Sequence, residues 1–144
     1  MSFKNIIIIF LCFGFSISCV EKTPVTQIKQ LISKSFDRPD SKVQTHSVVV
    51  VDNYAIVDWS QDKKAGRALL ELQNEKWQLR LCGGKGLKQV ASLVQSSVPA
   101  ATAGKLIKQL TEDEASLDTR LLQSFDSFGP SMKFSDTNSN HSNK

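Results

Sequence analysis

The stretch VVVVDNYAIVDWSQDKKAGRALLELQNEKWQLRLCGG, residues 48–84, decides the fold. It holds the chain's single tyrosine and both tryptophans. Polar breaks at Asp52-Asn53 and at Gln73-Asn74-Glu75-Lys76 cut it into strand-length pieces. Both breaks signal hairpins, because Asn and Asp tolerate the left-handed backbone that tight turns need. With His46 and Ser47 added in front, the stretch reads as four antiparallel strands over 46–51, 54–60, 67–72 and 76–82.

Alternation with period two sorts the side chains of these strands. Ala55, Val57, Trp59, Ala68, Leu70, Leu72, Trp77, Leu79 and Leu81 fall on one face, which is expected to be buried. Asp58, Arg67, Glu71, Gln78, Arg80 and Cys82 fall on the other, expected to face solvent or to floor a site. Working outward, Thr23-Pro24 opens a helix, with Thr as N-cap and Pro at the first helical position. Val25, Ile28, Leu31, Ile32 and Phe36 share one side of it. Downstream, Gly83-Gly84-Lys85-Gly86 reads as a tight strand-to-helix turn rather than a phosphate loop, since it lacks P-loop length and residues. Leu87, Val90, Ala91 and Val94 are expected to face inward on the helix that follows. Ala103, Leu106, Ile107 and Leu110 do so on the next. Thr111-Glu112-Asp113-Glu114 has the form of a capping box and predicts the start of a last helix carrying Leu117, Leu121, Leu122 and Phe125. The fold class is therefore α+β: an N-terminal helix, a four-stranded antiparallel meander, then about three helices packed on one sheet face. Leu31, Phe36, Val57, Trp59, Leu70, Trp77, Leu79, Val90, Leu106 and Leu122 are the expected core.

A chain of 144 residues with 40% hydrophobic and 22% charged residues suits one globular domain. Its net charge of +4 is spread, without a basic stripe interleaved with aromatics, so no nucleic-acid partner is expected. Residues 1–18 read as a signal peptide: Lys4, then an apolar run from Ile6 to Phe15 too short to span a bilayer. Ser16-Ile17-Ser18-Cys19 is similar to a bacterial lipobox, in which Cys19 is acylated and becomes the first mature residue. Cleavage there without lipidation is the alternative. The domain plan is leader 1–18, tether 19–23, a single α+β domain over 24–134, and a disordered Ser- and Asn-rich tail over 135–144. The protein is expected in the periplasm or cell envelope, held to the membrane by lipid on Cys19. With Cys12 removed and Cys19 occupied, Cys82 is left without a disulfide partner. A ligand role, a reactive thiol, an intermolecular bridge or simple burial would each account for it.

The segments Tyr54-Ala55-Ile56-Val57-Asp58-Trp59, Gly66-Arg67-Ala68-Leu69-Leu70, and Trp77 through Leu81-Cys82-Gly83-Gly84 to Leu87 resemble the copper uptake system-associated proteins, small exported bacterial proteins. Phe36-Asp37-Arg38-Pro39, Val98-Pro99-Ala100-Ala101 and Ser124-Phe125-Asp126-Ser127-Phe128 are similar too, so the resemblance covers most of the mature domain. It implies association with a copper transport component of the envelope and gives no ligand set. Cuprous ion favours thiolate and thioether sulfur and accepts imidazole. The residue types then point to Cys82 with Met132, and His46 as a further ligand, with Lys85 and Arg80 favouring the Cys82 thiolate. No catalytic residues are expected. The alternative is an envelope lipoprotein that binds a protein partner and no metal, using Asp58, Arg67, Glu71 and Arg80 as its interaction face.

Overall fold

In the computed structural model, residues 22–129 and 132–133 are described. Helix α1 (Pro24–Phe36) leads into strands β1 (Gln44–Val51), β2 (Tyr54–Gln61), β3 (Lys64–Gln73) and β4 (Lys76–Gly83). A 3-10 turn over Lys85–Lys88 precedes α2 (Val90–Gln95), α3 (Ala100–Glu114), α4 (Thr119–Asp126) and a two-residue strand β5 (Met132–Lys133). The sheet is antiparallel with order β1-β2-β3-β4-β5, so the expected meander is present and gains one short edge strand. Two-residue loops make all three hairpins, and Asp52, Asp62, Asn74 and Glu75 take positive φ there. At Asn74-Glu75 both central residues do so, as a type I′ turn requires. The signals at Asp52-Asn53 and Asn74-Glu75 are thus realised as turns. The leader, Cys19, Phe134 and the tail lie outside the described residues. Among those described, no helix is long and apolar enough to cross a membrane.

Both faces of the sheet are covered. On one, Ile28 and Ile32 of α1 sit at 0% exposure against Ala55, Val57, Ala68, Leu70 and Trp77. On the other, Leu93 of α2 and Ala103, Leu106 and Leu110 of α3 pack on Val49, Val51, Ile56, Leu69 and Leu81. Fully burying an aliphatic side chain contributes roughly 1.5–3 kcal/mol, so the two layers are comparable sources of stability. The face expected to meet solvent is therefore a second core.

Two bulges correct the strand reading. Leu70 pairs with Leu79 but Leu69 pairs with Leu81, so Arg80 is an extra residue in β4. Beyond it the alternation reverses: Leu81 joins the α3 core and Cys82 joins the α1 core, the opposite of the period-two assignment. The second bulge, between Thr45 and Val48, sets His46 and Ser47 opposite Asp58.

The helices depart from expectation in two places. Thr111-Glu112-Asp113-Glu114 is the last turn of α3, where Thr111 Oγ1 donates to Ile107 O and no break intervenes. The N-cap of α4 is Asp118, which accepts from the Arg120 amide at 2.8 Å. On α2, Val90, Ala91 and Val94 are exposed, and Leu93 is the residue that faces in. A six-residue helix entered through a 3-10 turn rotates its inward side away from the one that a longer helix from Leu87 would present.

Candidate functional site

The sequence-predicted site residues fall into three groups. Cys82 and Met132 come together: they are direct cross-strand partners in the β4–β5 ladder. Cys82 is 2% exposed beside a cleft of about 180 Å³, also lined by Phe36, Trp59, Phe128, Arg38, Gln61 and Lys64. Phe36 and Trp59 stack at 6.3 Å and Phe128 meets Trp59 edge-on at 5.4 Å, so this wall is aromatic. Burial pushes the Cys82 thiol up to about 12. The expected help from Lys85 and Arg80 toward a thiolate is thus not realised, because the bulge turns Cys82 into the α1 layer.

His46 stands apart. It lies on β1, with β2 and β3 between it and β4, a separation of about 14 Å at the usual strand spacing. Its Nε2 is 2.8 Å from Ser60 Oγ and its ring is 5.4 Å from that of Phe125. Partial burial lowers its pKa. His46 therefore does not join Cys82 as ligand or as general base.

The four residues expected to form an interaction face divide. Glu71 and Arg80 pair at 3.3 Å, half-exposed, and Glu71 also accepts from Gln73 Nε2 at 2.9 Å and Tyr54 OH at 3.3 Å. Asp58 and Arg67 are both at 0% exposure, beneath the helices, and present no surface. Arg67 instead centres a buried network. Its Nε and Nη2 donate to Glu114 Oε1 at 2.9 and 2.7 Å, and its Nη1 donates to Asp126 Oδ1 at 2.6 Å. Lys88 Nζ holds Glu114 Oε2, and the Phe125 ring lies 5.7 Å from the guanidinium carbon. Burial alone would lower Arg67, but the hydrogen bonds to Asp126 and Glu114 outweigh it and raise its pKa.

Asp58 is the exception inside this network. Arg67 Nε lies 3.3 Å from its Oδ1, yet neither carboxylate oxygen receives a hydrogen bond in good geometry from any described residue. Burial, then the charge of Glu114, push its pKa up to about 7, against opposing pulls from Arg67, the neighbouring Ser47 hydroxyl and Lys88.

Sequence reasoning missed Glu114, Asp126, Lys88 and Ser47. One signal was available for the first: Glu114 continues the stripe Ala103, Leu106, Leu110 at helical spacing, and an acid on an apolar stripe demands a buried cation. Gly84 closes the arrangement. A Cβ there would meet the carbonyl oxygens of Phe128, Asp126 and Phe125 at 2.6, 2.7 and 2.9 Å. The glycine turn therefore receives the carbonyl end of α4, a lining that repels an anion. Fold and site together define a small α+β domain whose sheet is clasped between helices around one buried ion network. No family model, curated protein or solved structure matches the chain significantly.

Proposed function

We propose that this chain is a non-enzymatic exported protein of the bacterial envelope, lipid-anchored at Cys19, that handles copper together with an envelope copper transport component. Cuprous ion is its cargo, held by Cys82 and Met132. The observation that carries this reading is the register that sets these two residues opposite each other on β4 and β5. A thiol and a thioether are the donor types cuprous ion prefers over harder cations. The burial that holds the free thiol protonated penalises a bare thiolate. It does not penalise a thiolate neutralised by a monovalent cation, so the same aromatic surroundings favour the metal over the naked anion. The resemblance to copper uptake system-associated proteins supplies the process, and His46 is left out of the ligand set.

A second reading, a protein-binding module without metal, draws on the exposed Val90 and Val94 of α2. Gln95 at the end of that helix lines a cleft with Arg80. A competition titration of the mature chain against a chromogenic cuprous chelator separates the two. Stoichiometric binding that is lost in Cys82→Ser and weakened in Met132→Leu is expected. No binding by the wild type, or binding indifferent to Cys82→Ser, overturns the copper reading and leaves the interaction module.

A further inference from the structure

Three carboxylates and two cations share the interior around Arg67, so the network becomes neutral when it holds one proton. The groups around the Asp58–Arg67 pair come from every neighbouring element: His46 and Ser47 of β1 opposite Asp58, Lys88 from the 3-10 turn acting on Asp58, Glu114 from α3 acting on both, and Asp126 from α4 on Arg67. Glu112 and Asp113 line the cleft that reaches Ser47 and His46 from outside. Glu114 is engaged on both oxygens and Asp126 on one, whereas Asp58 has only the ion pair with Arg67 at 3.3 Å and the facing Ser47 hydroxyl, neither of them a well-aligned hydrogen bond, and both its oxygens are shut off from water. The carboxyl that is most deeply buried and most weakly hydrogen-bonded is the place where a bound proton costs least.

We propose that Asp58 is the proton-binding member of a latch that holds α4 on the sheet, closed when Asp58 is protonated and loosened when it ionises. The geometry names what moves. An ionised Asp58 leaves the interior with one uncompensated negative charge. Of the three carboxylates, Glu114 and Asp58 have side chains at 3% and 0% exposure, while that of Asp126 is at 44%. Releasing Asp126 to water is therefore the least costly relief. It removes the hydrogen bond from Arg67 Nη1, which ties the last turn of α4 to β3. Phe128, which occupies the space over Gly66, follows directly along the chain. The latch stands whether or not Cys82 binds copper.

Hydrogen exchange of the full chain, followed by mass spectrometry across pH 5 to 7.5 and corrected for intrinsic exchange, tests this. Opening of 119–128 should rise with pH by up to about tenfold per unit, the limit for one released proton, while peptides from β2 and β3 stay protected. Asp58→Asn should flatten the profile. His46→Asn should leave it unchanged, which separates Asp58 from the neighbouring imidazole on β1. Profiles that do not depend on pH, dependence that survives Asp58→Asn, or dependence that vanishes in His46→Asn would each overturn the latch. Should Asp58→Asn fail to fold, a carbon-13 titration of the wild-type Asp58 carboxyl still decides: a midpoint in the ordinary carboxylate range refutes it.

Discussion

Replacing Arg67 by Met keeps an unbranched, flexible apolar stem and removes the one charge that three carboxylates share. In the native network Arg67 makes three hydrogen bonds, two to Glu114 and one to Asp126, at 0% exposure. Without it Glu114 keeps only Lys88, and Asp126 must turn to water. Removing one member of a buried ion pair costs about 3–5 kcal/mol, because the charge left behind stays desolvated. A domain of this size holds roughly 5–15 kcal/mol in total, so the loss is a large share. With a urea slope of about 2 kcal/mol per molar, the midpoint of unfolding should fall by about 2 M at neutral pH. Adding Glu114→Leu removes the stranded acid from a stripe that is otherwise Ala and Leu, and Lys88, whose side chain is 28% exposed, can then extend into solvent. The double variant should recover at least half of the loss, since apolar replacements of buried ion pairs are often neutral or better. Urea denaturation followed by tryptophan fluorescence, on both single variants and the double, gives the coupling energy directly. A loss below about 1 kcal/mol for Arg67→Met, or a double variant equal to the sum of its singles, would refute the argument that this network is buried and shared.

Three further outcomes are expected. Glu75 has φ of 63° in the β3–β4 turn, so Glu75→Gly should stabilise the domain by about 0.5–1 kcal/mol, read as a higher melting temperature. Gly84→Ala should cost 2 kcal/mol or more by the same measurement, because its new methyl meets three backbone carbonyls that cannot swing aside. The folded state raises Asp58 from 3.8 to about 7, so the native protein binds the proton more tightly than the unfolded chain. The stability this contributes is fully present below pH 4 and is lost as pH rises through 7. About three units at about 1.4 kcal/mol each set a ceiling of about 4 kcal/mol on that loss, which urea midpoints in wild type and Asp58→Asn would measure.

The meander was legible because its punctuation is local. Asp52-Asn53 and Asn74-Glu75 announce their turns, and Val57, Leu70, Trp77 and Leu106 are buried as expected. Leu31, Phe36, Trp59 and Leu79 reach the core margin, whereas Val90 does not. What failed depended on contacts between distant segments. The Arg80 bulge carries no signature in its own residues, and one extra residue was enough to exchange Leu81 and Cys82 between faces. The pairing of Asp58 with Arg67 across β2 and β3 could be seen as a polar patch. Its burial could not, because the acids that complete it lie 47 and 59 positions beyond Arg67, on α3 and α4. The juxtaposition of Cys82 with Met132 was readable as chemistry, and only the short β5 gives it a register.

The strand order leaves β1 at one margin of the sheet, with Val48 to Val51 in a row. Such a margin offers unpaired amides and carbonyls to any other extended chain, and four valines favour fibril-like addition. The bulge at His46-Ser47 twists that margin and breaks its ladder before the valines begin. Deleting one residue of the bulge would straighten β1 into a longer, regular template. The expected result is a protein that folds yet self-assembles with rising concentration. On this view, the irregularity that places Ser47 over Asp58 also keeps separate copies of the chain from joining edge to edge.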